Sequence, residues 1–274
     1  MVHIIPKKLH RSLIKTLLQI EKRLRFVISA LVLSGSMFVA TTFFDSYSVW
    51  FLVPIFIGIT YLFTYLSLLE GIEKGEWFML FVIPIMLTLS FYFFSFLFPP
   101  LWRYRAPLIF VYGFSAYAIL LTSNIFNVGV EKSIQLYRAA FSVNYFYHAL
   151  ISFILTSVIL SFKQVFWVNA VLVFIIFFPL VLQLYWSVKP RNEITRVVIL
   201  YASYTALIIS EIAIMFSFIS LNAAVLALVL TAAYYCISGL IFHQMEQRLF
   251  KQTIREYIIV MSFVVVIVLL SIRW

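Results

Sequence analysis

This sequence has one cysteine, Cys236, and one aspartate, Asp45. A single thiol admits no internal disulfide, so cysteine usage says nothing about redox compartment. A lone aspartate cannot form an aspartyl dyad. Nor can it supply the two aspartate-rich, metal-binding motifs of the membrane prenyltransferases, whose length the chain shares. No HExxH run is present, which argues against zinc-dependent intramembrane proteolysis. The seven glycines form no phosphate-cradling loop. His243 and Glu246 stand three apart, but two ligands do not make a zinc site, which needs three or four. The sequence therefore predicts no cofactor and no metal.

Charge is scarce as well, at 11% of residues, against roughly 25% in soluble domains. What fills the space is apolar: 64% hydrophobic residues, 19% aromatic, and a mean hydropathy of +1.07. One soluble core cannot absorb that much apolar surface in 274 residues, whereas a bilayer can. Lipid offers the backbone no hydrogen bonds, so a spanning segment must be a helix or part of a closed barrel. Barrel strands alternate apolar and polar residues, and the runs here do not.

Apolar runs of spanning length predict helices over 26–44, 49–68, 77–98, 107–127, 142–162, 165–188, 197–219, 222–243 and 257–272. The stretch 128–141 is expected to lie partly along the membrane surface. If the N-terminus is cytoplasmic, sixteen of the 20 Lys and Arg fall on that side. They are Lys7, Lys8, Arg11, Lys15, Lys22, Arg23, Arg25, Lys74, Lys132, Arg138, Lys189, Arg191, Arg196, Arg248, Lys251 and Arg255. Only Arg103, Arg105, Lys163 and Arg273 fall outside. One missed or surplus helix would invert every later loop and mix the charges, so the split supports nine spans with the N-terminus in and the C-terminus out. The same split accounts for the net charge of +10 without nucleic acid. Trp50, Trp77, Trp102, Trp167, Trp186 and Trp274 all fall at span ends or in short loops, the depth indole prefers. Pro54, Pro84 and Pro179 lie within spans, where each removes a helical hydrogen bond.

Residues 1–25 form the only sizeable polar segment. Leu9, Leu13, Leu17, Ile20 and Leu24 recur at helical spacing among seven bases, the pattern of an amphipathic helix lying on anionic lipid. A plain topogenic charge cluster is an equal reading. The segment is too long and basic for a cleaved signal peptide.

Glu211 is the sharpest candidate residue. A carboxyl group inside a span costs about 2.5–3.5 kcal/mol on insertion scales. Ser203, Ala206, Ser210, Ala213, Ser217 and Ser220 form a small-residue seam in the same span. Glu211 borders that seam and is expected to face a neighbouring helix. Its functional reading is a proton or cation relay, or a ligand contact; its plain reading is helix–helix glue. Asn144, His148, Ser152 and Thr156, four apart, form a polar stripe able to line a vestibule or to bond between helices. Arg103 and Arg105 flank Tyr104 in an outer loop, where guanidinium groups suit anionic headgroups. An enzyme acting on a lipid-linked substrate at that face needs Asp45, Arg103 and Arg105 to converge.

Asn124-Ile125-Phe126-Asn127-Val128, Ile134-Gln135-Leu136, Arg138-Ala139-Ala140, Glu246-Gln247-Arg248-Leu249-Phe250, Arg255-Glu256-Tyr257 and Arg273-Trp274 occur together in the C-terminal 60% or so of the chain. The set resembles a family of uncharacterised multi-pass membrane proteins from candidate-phylum bacteria, a domain of unknown function. The resemblance implies a bacterial inner membrane and transfers no functional residue.

The sequence thus predicts an all-α transmembrane bundle without an extramembrane domain. It favours a non-enzymatic scaffold or subunit acting through a membrane-protein partner. The alternatives are a small-solute or lipid transporter built around Glu211, with His148 as a relay partner, and the outer-face enzyme.

Overall fold

Long apolar runs with no period-two alternation can satisfy their backbone only internally, and they do so as helices. The structure, a computed structural model, describes residues 21–43, 49–68, 78–128, 134–188, 194–219 and 221–271. Those residues form nine helices and no strand: α1 Lys22–Phe43, α2 Val49–Leu68, α3 Met79–Ser95, α4 Trp102–Val128, α5 Ile134–Ser161, α6 Phe166–Trp186, α7 Arg196–Phe216, α8 Ala223–Met245 and α9 Lys251–Ser271. Eight are long and apolar enough to cross a membrane; α3 is apolar but shorter. The basic segment up to residue 20, Asp45 and Trp77 lie outside the described residues.

Three helices start five or more residues earlier than hydropathy predicts. α4 begins at Trp102, where the Tyr104 and Arg105 N–H groups close a first turn on the Leu101 carbonyl at 3.0 and 3.2 Å. α5 begins at Ile134, so residues expected along the membrane surface are its first two turns. α9 begins at Lys251 rather than 257. Each added stretch carries charge (Arg103 and Arg105, Arg138, then Lys251, Arg255 and Glu256). Hydropathy marks the apolar part of a helix, but the hydrogen-bond ladder continues beyond it.

α3 spans 17 residues, about 25 Å at the helical rise. It packs against α2, α4, α5 and α6, and most of its side chains are buried. A helix wrapped by others need not cover the hydrocarbon thickness alone, because its ends can rest on protein. α9 is the opposite case: it packs chiefly on α8, and only 17% of its apolar window is buried.

Two reversals use left-handed residues that are not glycine. Lys163 (φ 49°) follows α5 and Gln247 (φ 58°) follows α8. Beyond Gln247 the Arg248 N–H donates to the His243 carbonyl at 2.9 Å, satisfying a helix-end acceptor.

The core divides into two large clusters and a small third one of Val229, Ala232, Val264 and Val268 between α8 and α9. One large cluster joins α1 to α5 with part of α6, and the other joins α6, α7 and α8 with the end of α5. Hydroxyl pairs tie helices within them: Thr60 donates to Thr88 at 3.1 Å, Thr88 meets Tyr112 at 2.9 Å, Ser67 donates to Ser29 at 2.8 Å, and Tyr185 meets Thr205 at 2.9 Å. The outer surface is strongly apolar, with Leu270, Trp50, Phe110, Phe218 and Phe43 all more than 70% exposed. A surface of that kind matches lipid and not water. Trp50, Trp102 and Trp167 sit exposed near helix starts, while Trp186, expected at the interface, is buried in the core. Arg25, read as part of the interfacial charge cluster, is buried at the start of α1.

Candidate functional site

On α7 the buried face comprises Ala202, Thr205, Ala206, Ile209, Ser210 and Ala213. These pack on Val173, Phe177, Val181 and Leu184 of α6 and on α8. The small-residue seam is therefore a real packing surface, although Ser203 and Ser217 only border it. Glu211 is not turned toward it. At roughly 100° per residue from Ala202, Glu211 comes round to about 180°, the middle of the opposite face. It is exposed there among Tyr204, Leu207, Ile208 and Met215, also exposed. The expected contact with a neighbouring helix of the bundle does not form, because α6 and α8 both dock on the far side of α7.

His148 has the reverse fate. It is fully buried, as are Ser152 and Thr156, and Asn144 is 3% exposed. His148 Nδ1 stands 2.8 Å from the Asn144 carbonyl. A carbonyl only accepts, so Nδ1 carries the proton and Nε2 offers a lone pair. Nε2 makes no formed hydrogen bond, and the ring lies beside Leu180 and Gln183 of α6. Gln183 is itself 2% exposed, and its Oε1 accepts from Asn144 Nδ2 at 3.3 Å. Ser152 and Thr156 donate to carbonyls of their own helix, at 2.8 and 2.6 Å. The stripe is thus a polar clasp between α5 and α6, and it lines none of the cavities described below. His148 and Glu211 do not meet, since one is enclosed and the other faces away from the bundle. Gln183 escaped the sequence reading; as an amide within an otherwise apolar run it was the available signal.

Arg103 is exposed, with its guanidinium carbon 4.9 Å from the Tyr104 ring centroid, a cation–π contact. Arg105 is half-buried beside Thr41, Ser95 and Phe98 at a crevice of about 10 Å³, room for a single water. No group of three potential metal ligands occurs among the described residues.

Two larger cavities stand out. One, about 630 Å³, lies between α1 and α4 and is almost wholly apolar, lined by Leu31, Phe38, Trp102 and Phe114 among others. It opens beside Gly113, where a Cβ would strike the Ser34 hydroxyl. The other, about 570 Å³, lies between α5, α8 and α9 and carries far more polar surface. Its walls include Tyr145, Tyr235, Phe242, His243, Glu256 and Tyr257. The Tyr145 hydroxyl donates to the Tyr235 carbonyl. The Tyr145 and Tyr257 hydroxyls both crowd the position a Cβ on Gly239 would take. Tyrosine hydroxyls, a histidine and a carboxylate together line this open volume.

A family model described as a protein of unknown function (DUF5656) matches residues 64–271. The chain belongs to this family. The match starts within α2 and runs to the end of α9, so the α5–α6 clasp, Glu211 and the α5–α8–α9 cavity all fall inside the DUF5656 domain. No curated protein and no solved structure matches the chain.

Proposed function

We propose that this DUF5656 protein is an integral membrane subunit that works through another membrane protein, with the outward face of α7 as its contact. The observation that carries the reading is the exposure of Glu211. Its carboxyl group lies five residues before the end of α7, about 7.5 Å along the axis. Large apolar side chains surround it, and no hydrogen-bond or ion-pair partner relieves it among the described residues. A carboxyl group left facing hydrocarbon is expensive. A partner helix offering a hydrogen-bond donor or a cation at that depth removes the expense. A symmetric dimer about that face brings carboxyl to carboxyl and supplies no cation, so a heterologous helix relieves the group more fully. The occupant is therefore a different membrane helix with a donor side chain. The charge split across the loops supports a cytoplasmic N-terminus, and the resemblance to the bacterial family supports an inner membrane.

A transport site at Glu211 draws no such support, since none of the three cavities described is lined by it. The test is a pull-down of the full chain from native membranes in mild detergent, with mass spectrometry of the proteins retained. The wild type should bring one membrane protein at stoichiometric level, and Glu211→Leu should lose it. A wild-type chain that emerges alone, or a partner held equally by Glu211→Leu, overturns the proposal.

A further inference from the structure

The cavity between α5, α8 and α9 has a definite chemical character. α5 and α9 both pack on α8, and the cavity is the space the three enclose. It lies where α5 and α9 begin and α8 ends, which is one end of the bundle. The charge split makes that end cytoplasmic. Glu256 is the only acidic residue of the lining, and no Lys or Arg lines it. Aromatic rings form much of the wall: Phe141 stacks on Phe242 with centroids 3.9 Å apart, and Tyr145 meets Tyr235 at 4.9 Å. Tyr145 has its proton committed to the Tyr235 carbonyl, so what it can offer the cavity is an oxygen lone pair. The lining also runs on to Phe146, Ala149 and Val260, which are wholly apolar and lie further along α5 and α9. Phe146 is 62% exposed on the outer surface.

A carboxylate, tyrosine oxygens and ring faces, beside one imidazole and with no Lys or Arg in the lining, make a receptor for a cation. Its apolar continuation onto the lipid-facing surface makes it a receptor for an amphiphile. We infer that this cavity binds a primary-ammonium headgroup, as carried by phosphatidylethanolamine, with Glu256 as the ion-pair acceptor and the acyl chains lying along Phe146 and Val260. A primary amine, unlike a quaternary one, can donate hydrogen bonds to Glu256 and to the tyrosine oxygens. The inference rests on the membrane reading above but not on Glu211 or on any protein partner.

The experiment is native mass spectrometry of the full-length protein in detergent, titrated with phosphatidylethanolamine, phosphatidylcholine and phosphatidylglycerol of matched acyl chains. The expected result is tightest binding of phosphatidylethanolamine, weakened about tenfold by Glu256→Gln, the loss of one charge-assisted contact. Glu256 is exposed and its hydrogen bond from Gln252 is a long 3.4 Å, so the variant keeps its fold; an unchanged melting temperature checks this. Phosphatidylglycerol binding as tightly as phosphatidylethanolamine, or equal affinity in Glu256→Gln, overturns the inference. Free ethanolamine is the second arm. Displacement of the lipid at millimolar concentration assigns recognition to the ammonium alone, and failure to displace assigns it to the lipid-borne headgroup. The Glu211→Leu variant should bind phosphatidylethanolamine like the wild type, which separates this site from the proposed protein contact.

Discussion

The side-chain amide of Asn144 donates to that of Gln183 at 3.3 Å, joining α5 to α6 beside the buried ring of His148. All three groups are shut away from solvent and from lipid. Replacing either amide leaves the other without this partner, and an unsatisfied buried polar group is what makes such a pair expensive. Gln183→Leu should therefore destabilise the protein by about 0.5–2 kcal/mol, read as a lower unfolding midpoint in detergent. Asn144→Leu combined with Gln183→Leu should recover part of that loss, because both ends of the bond are then apolar. A double variant as unstable as the sum of the singles would show that the pair does not interact.

Gly239 gives a second prediction. A methyl group there meets the Tyr145 and Tyr257 hydroxyls, and Tyr145 is tethered to the Tyr235 carbonyl. Gly239→Ala should cost about 1–3 kcal/mol by overpacking. The controls are Gly35→Ala and Gly58→Ala, which meet open space and should be neutral or stabilising by up to about 1 kcal/mol through helix propensity. Thermal unfolding of the three variants side by side decides the matter, since equal effects would remove the steric explanation.

For Glu211 the sign reverses. Its side chain lies on the outer face of α7 and supports nothing within the bundle. Glu211→Leu should leave the melting temperature of the purified chain unchanged or raise it, and should raise the yield of membrane insertion, by relief of about 2.5–3.5 kcal/mol at most. A marked drop in stability would mean that the carboxyl group is held by its own chain.

Tyr185 and Thr205 test the α6–α7 interface. Their hydroxyls meet at 2.9 Å, and Thr205 also donates to the Tyr201 carbonyl at 2.8 Å. Tyr185→Phe should cost only about 0.6 kcal/mol, since Thr205 keeps its intrahelical acceptor. Thr205→Val should cost a similar amount, and the double variant no more than either single one in chemical denaturation.

How much of this was legible differs from residue to residue. The helices were, because a run such as Phe166–Trp186 can satisfy its backbone in lipid only by coiling. Their polar first turns at Trp102, Ile134 and Lys251 were not, since hydropathy is blind to a ladder that continues through charged residues. The outward direction of Glu211 was present in the helical period: half a turn from Ala202 is a matter of counting, once the small-residue seam is accepted as the packed face. The Asn144–Gln183 bond was not legible, because it depends on which helix lies beside α5. The α5–α8–α9 cavity was less so, since its aromatic and acidic walls come from three helices separated by up to a hundred residues or more.

The sequence by itself determined that this chain is a bundle of apolar helices, where those helices run, and which few polar residues they carry. Those properties follow from local facts, the length of each apolar run and the repeat of each face. Only the tertiary structure decided that His148 is enclosed and Glu211 is not, that α3 sits at the centre, and that Tyr145, Glu256 and Tyr257 share one cavity. Packing partners set those outcomes. Helices with apolar residues on every side can pack through several faces, and the choice among them is made by side-chain fit between segments far apart in the chain.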